Sequence, residues 1–111
     1  MRTLRDSATK LATTYDVVVT ARDEALVRED FADARRELDR LEAILSEWQP
    51  DSALSRLNRE GARGAVAVPA ELLAILRASV NVSRATGGAF DVTWFAFAPL
   101  WNAAAKTQVI P

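Results

Sequence analysis

The chain has no cysteine and no histidine among its 111 residues. No disulfide can brace it, and no thiolate can act as nucleophile or zinc ligand. A serine–histidine relay and an imidazole base are excluded as well. Neither sign of charge is in excess: 14 basic residues stand against 15 acidic ones, a net charge of −1. That balance gives no electrostatic case for nucleic acid or an anionic membrane as partner. No run approaches the roughly 18 apolar residues of a membrane span. Met1 to Tyr15 holds no apolar block of the signal-peptide kind, so the chain as given is expected to be soluble and cytoplasmic. What remains for chemistry is carboxylates, hydroxyls, two lysines, backbone amides and whatever an ion or cofactor brings.

Half of the residues are apolar, and the length allows one small domain. A chain of this size buries about two thirds of its unfolded surface, enough for a modest core. Residues 1–10 are polar and mixed, which predicts a frayed end. Tyr15 to Ala21 alternates and is valine-rich, which predicts a strand with one face on the core. Residues 24–48 carry the strongest pattern. Phe31, Ala34, Leu38, Leu41, Leu45 and Trp48 recur at steps of three and four, one stripe of an α-helix. Arg35, Arg36, Glu37, Asp39, Arg40 and Glu42 fill its other side, and Asp23 suits its N-cap. The stripe lasts only about three heptads, so one helix lying on a sheet is preferred over a coiled coil.

Pro50 is expected to stop that helix, and Asp51 to cap a short one from Ser52 to about Arg59. Gly61 and Gly64 bracket a turn, and Ala65 to Val68 is a short strand candidate. Pro69 suits the first position of a further helix with Leu72, Leu73, Leu76 and Val80 on its apolar face. Thr86-Gly87-Gly88 should end it. Trp94 to Trp101 reads W-F-A-F-A-P-L-W, a segment that needs covering by this domain or by something else. The expected class is α+β: a small sheet packed by a long amphipathic helix and a second helix.

Three clusters could carry chemistry, and each has a plainer use. Ser55 and Asn58 sit three apart, so a hydroxyl and an amide could meet a polar ligand from one helix face. Serine and asparagine near helix ends more often serve as caps. Gly87-Gly88-Ala89-Phe90-Asp91-Val92-Thr93 could bring backbone close to a ligand, with Phe90 stacking on a flat ring and Asp91 accepting from a ring imide or ribose. Thr93 could then bind a phosphate, whereas a glycine C-cap and turn with Phe90 in the core explains the same residues. Trp48 is either the last core residue of its stripe, the preferred reading, or a stacking surface. Walker-type, G-x-G-x-x-G and nucleophile-elbow motifs are absent.

Four segments in order carry a resemblance: A-T-T-Y at 12–15, L-D-R-L-E-A-I-L-S-E-W-Q-P-D-S-A-L-S-R-L-N at 38–58, P-A-E-L at 69–72 and S-R-A-T-G-G-A-F-D-V-T at 83–93. Together they resemble the ApbE family, the FAD:protein FMN transferases, over residues 11–111. The resemblance implies an incomplete, T-fold-related domain. It also implies transfer of FMN from FAD to a threonine or serine hydroxyl of an acceptor flavoprotein, with release of AMP and a requirement for Mg²⁺. Phosphoryl transfer of that kind needs neither histidine nor cysteine.

Position by position, Leu11, Ala12 and Thr13 stand where the family usually has Met-Gly-Thr near the flavin. Trp48 matches the aromatic beside FAD, and Ser55 and Asn58 match an S-x-x-N motif. Ala89, Phe90 and Asp91 match the A-F-D flavin segment, and Thr93 the threonine after it. Val92 replaces a frequent proline, and Phe95-Ala96 stands where Gly-Pro is common. The family's D-L-G-G-I-A-K-G-Y-like segment and its magnesium ligands have no counterpart here, so no metal ligand is assigned. The expectation is an N-terminal portion that holds flavin and is inactive or weak as a transferase by itself. The competing expectation is a non-catalytic flavin-binding or protein-interaction module.

Overall fold

A computed structural model describes residues 1–107, and within them the architecture is α+β. Strands β1 (Arg2–Lys10) and β2 (Thr13–Ala21) form a two-stranded antiparallel sheet. Four helices follow: α1 (Glu24–Leu45), α2 (Ala53–Glu60), α3 (Ala70–Ala85) and α4 (Ala98–Thr107). The chain divides into two units, Met1–Leu72 and a second beginning at Leu73, and each is described by itself.

The first unit is a hairpin with α1 packed on it. Leu4 pairs with Val19, Asp6 with Val17 and Ala8 with Tyr15, which places these residues on one face. Leu4, Val27 and Phe31 form the buried core, with Val17, Val19 and Ala21 packed against it. The outer face is polar: the Thr3 and Thr20 hydroxyls bond to each other, and Arg5 and Ser7 both donate to Asp16. Asp23 caps α1 as its sequence suggests, accepting from the amides of Ala25 and Leu26.

The expectation of a frayed segment at 1–10 is corrected, because Arg2–Lys10 is a paired strand. Its inward positions run Leu4, Asp6, Ala8, Lys10, so charged residues break the apolar alternation. Those charges are met by α1. Arg35 donates twice to Asp6, at 2.7 and 2.5 Å, and once to the Ser7 carbonyl at 2.9 Å. Lys10 pairs with Asp39. Arg35 and Asp39 therefore face the sheet, not the solvated side of α1.

The hairpin loop is the two residues Leu11 and Ala12, both at positive φ, +53° and +57°. This is the signature of a type I′ turn, whose usual occupants are asparagine and glycine. Each non-glycine residue there is strained by about 1–2 kcal/mol. The amide of Leu11 donates to Glu42 at 3.0 Å, which ties the strained loop to α1. Ala12→Gly is expected to stabilise the chain by about 1 kcal/mol in urea unfolding, since relief of strain exceeds the added chain entropy. An unchanged or lower midpoint would contradict this.

The strand candidate at 65–68 is not a strand, and this segment has no regular structure. A strand needs a partner for its amides, and here Arg56 takes the Ala67 carbonyl at 2.5 Å. Helix α3 starts at Ala70, one residue past Pro69. Of its expected apolar face only Leu72 is buried, while Leu73 and Val80 are exposed. In the second unit α3 closes as its sequence predicts. The Gly88 amide reaches the Ser83 carbonyl at 2.8 Å and the Gly87 amide the Arg84 carbonyl at 3.2 Å, with both glycines at positive φ. Those two bonds are the Schellman pattern. The aromatic segment forms a 3-10 turn (Trp94–Phe97) and then α4, and Trp94, Phe97, Leu100 and Trp101 remain exposed. The covering expected for it is not supplied among the described residues, and 108–111 of the expected 11–111 domain lie outside them.

Candidate functional site

Of the expected site residues in the first unit, Trp48 lies between α1 and α2, Ser55 and Asn58 lie in α2, and Thr13 lies in β2. Helix α1 ends at Leu45, five residues before Pro50, where Ser46 turns extended as its C-cap. Trp48 therefore lies beyond the helix whose spacing it continues, and it is 71 % exposed. Its assignment to the core is corrected: the stripe stops one step earlier. A cleft of about 310 Å³ opens here, lined by Leu11, Leu45, Ser46, Glu47, Trp48 and Leu54. That is the lower end of the size of small-molecule sites, roughly 300–1,000 Å³. The strained hairpin loop delivers Leu11 to this cleft, and Thr13 follows two residues on as the exposed first residue of β2.

Helix α2 starts one residue later than its sequence suggests. Ser52, not Asp51, is the N-cap, and its hydroxyl accepts from the Ser55 amide at 3.0 Å. The same hydroxyl donates to the Ser46 carbonyl. Ser55 is buried, and its hydroxyl lies 3.2 Å from the Ser46 carbonyl and 3.4 Å from that of Glu47. Asn58, one turn on, is exposed, and its side-chain amide makes no hydrogen bond among the described residues. Spacing placed Ser55 and Asn58 together, but only Asn58 is presented outward.

The second unit holds the other four residues in one loop after α3. The Thr86 carbonyl accepts from the Ala89 amide at 3.2 Å, and the Thr86 hydroxyl accepts from the Phe90 amide at 3.1 Å. Phe90 is 44 % exposed, so it is not a core residue. Asp91 Oδ1 accepts from both the amide and the hydroxyl of Thr93, at 2.8 and 2.7 Å. Those bonds, the hydroxyl's first, hold the Asp91 carboxyl below its ordinary range and ionised at neutral pH. Its Oδ2 makes no bond among the described residues and can accept from a ligand N–H. The Thr93 hydroxyl is already spent on Asp91.

Residues 11–111 match the model of the ApbE family. The chain belongs to the ApbE family. No curated protein matches it. In this ApbE-family chain, sequence reading gave Ser46 and Leu54 no role and named Ser52 and Thr86 only at helix ends. Three of them act through hydroxyls on nearby backbone, and a lone serine or threonine in a loop leaves no periodic trace. Among the described residues, no three carboxylate, imidazole or thiol side chains converge on a point that could hold a metal ion. No described helix is long and apolar enough to cross a membrane.

Several carboxylates of the chain are stabilised in their charged form by arginine. Arg35 holds Asp6 below the ordinary carboxylate range, and Arg5 first, then Ser7, hold Asp16 at about 2. The ordinary value for Asp16 is 3.8, so its contribution to stability is complete above about pH 4. It is lost as the pH falls through 2. The unfolding midpoint of the chain should therefore decline between pH 4 and 2, and Asp16→Asn should flatten that decline. Equal slopes for the two proteins in acid titration of the unfolding midpoint would refute the assignment.

Proposed function

We propose that this chain is the flavin-holding portion of an FAD:protein FMN transferase. The observation that carries the reading is membership of the ApbE family together with an exposed indole, Trp48, on the rim of a ligand-sized cleft. In that reading Trp48 stacks on the flavin ring, and Leu11 and Leu54 supply apolar surface beside it. Asn58 offers an uncommitted amide. In the second unit, taken by itself, Asp91 presents Oδ2 to a ligand N–H while Thr93 fixes its orientation, and Phe90 and the backbone of Ala89 flank it. Thr13 is assigned to the same flavin region by its place in the 11–13 segment.

The reaction so supported is attack by a threonine or serine hydroxyl oxygen of an acceptor flavoprotein on the FMN-side phosphorus of FAD. A P–O bond forms, the bridging P–O bond breaks, AMP departs and the hydroxyl proton passes to solvent. Mg²⁺, when bound in such a transferase, neutralises charge on the phosphates. Among residues 1–107 no three carboxylate side chains converge on one point, so no step is assigned to a metal held by them. A second reading, in which the chain binds flavin without transferring it, needs only the cleft beside Trp48.

Titration of FAD with the full chain tests the common part. Flavin fluorescence should be quenched, and Trp48→Ala should weaken binding about tenfold, the equivalent of about 1.4 kcal/mol of lost stacking. Absence of quenching would remove the flavin reading. Incubation with FAD, Mg²⁺ and an acceptor flavoprotein separates the two versions: covalent flavin on the acceptor selects the transferase, and its absence selects the binding module.

A further inference from the structure

An exposed side chain gains little orientation from packing, so a stacking residue in solvent depends on the backbone beneath it. Trp48 is such a residue, and the backbone around it is held by three serine hydroxyls. Ser46 Oγ accepts from the amides of Trp48 and Gln49, each at 3.2 Å. Ser52 Oγ and Ser55 Oγ both donate to the Ser46 carbonyl, and Ser55 Oγ also lies 3.4 Å from the Glu47 carbonyl. The Ser52 amide donates to the Gln49 carbonyl at 3.1 Å. Every residue from Ser46 to Gln49 is thus bonded to a serine, directly before and after the indole. Ser52 is 1 % exposed, which leaves no surface for a ligand.

We infer that Ser46, Ser52 and Ser55 are positioning residues that set Trp48 over the cleft, and that Ser55 acts on flavin binding through Trp48. The inference rests on the flavin reading for its consequence, but its structural part stands on these hydrogen bonds alone. It gives the S-x-x-N pair two separate duties: Ser55 braces the loop from inside, and Asn58 faces outward.

The test uses the full chain with Trp94→Phe and Trp101→Phe, so that Trp48 is the one remaining tryptophan. Without flavin, Ser55→Ala and Ser46→Ala should each lower the fluorescence anisotropy of Trp48, and Ser55→Thr, which keeps the hydroxyl, should restore it. Ser46→Ala leaves the cap of α2 untouched, so it answers the question even if Ser55→Ala unfolds that helix. With FAD, Ser55→Ala should weaken binding about tenfold when Trp48 is present and less than about twofold in Trp48→Ala. An equal loss in both backgrounds would mean that Ser55 touches the flavin itself, and it would overturn the inference. Should FAD not bind at all, the flavin reading fails and anisotropy decides alone: unchanged values in both alanine variants overturn the positioning role.

Discussion

Phe31→Ala is expected to lower the unfolding free energy by about 3–5 kcal/mol in urea denaturation. The reason is the small number of side chains available to replace it. Phe31 is 9 % exposed and forms one buried cluster with Leu4 and Val27, rimmed by Val17, Val19 and Ala21. Leu4 comes from β1, Val27 and Phe31 from successive turns of α1, and the rim from β2. Removing the ring therefore separates all three elements at their shared contact. Net stability for a small domain is about 5–15 kcal/mol, so the loss takes about a fifth or more of it. The control is Leu26→Ala, on the same helix and exposed, which should change stability by less than about 0.5 kcal/mol. If the two variants lose equal stability, the helix–sheet contact is not what holds this unit together.

Helix α1 was legible because apolar residues at three- and four-residue steps have no other economical explanation, and Asp23 marked its start. Its end was not legible. Trp48 keeps the helical spacing, but Ser46 breaks the helix by taking the Trp48 and Gln49 amides on its side chain. A periodic pattern says nothing of such a competition between side chain and backbone. Strand β1 was hidden for an electrostatic reason. Asp6 and Lys10 occupy inward positions, and their partners Arg35 and Asp39 lie nearly thirty residues on. Tyr15 to Ala21 needed no such partner and was read directly.

The candidate site shows the same division. The Thr86-Gly87-Gly88 stop was readable because positive φ at two adjacent positions favours glycine. The loop that follows, with Asp91 locked by Thr93, was readable as residue types but not as hydrogen bonds. Ser55 and Asn58 were readable as neighbours. Which of them faces outward depends on how α2 meets the end of α1, and that follows from the buried Ser52–Ser46 bond, not from spacing. The family match adds a reason to examine these positions, while burial and bonding decide what each can do there.

Leu72→Ala is expected to cost about 2–5 kcal/mol, the range for a buried leucine truncated to alanine. Leu72 is 1 % exposed and is the most buried large side chain described. It stands in the first turn of α3, within the first unit, beside Glu71, which accepts from Arg40 of α1 at 2.8 and 2.9 Å. The helix beyond it offers little else: Leu73, Ile75, Val80 and Val82 are all exposed. One apolar side chain and one exposed ion pair thus fasten the start of α3, and exposed ion pairs contribute little. The two can be separated. Arg40→Ala should leave the urea midpoint nearly unchanged, whereas Leu72→Ala should lower it and raise amide exchange through Ala70–Ala85 first. A larger loss from Arg40→Ala than from Leu72→Ala would reverse the assignment and make the arginine, with its contacts to Glu37 and Glu71, the true anchor of this helix.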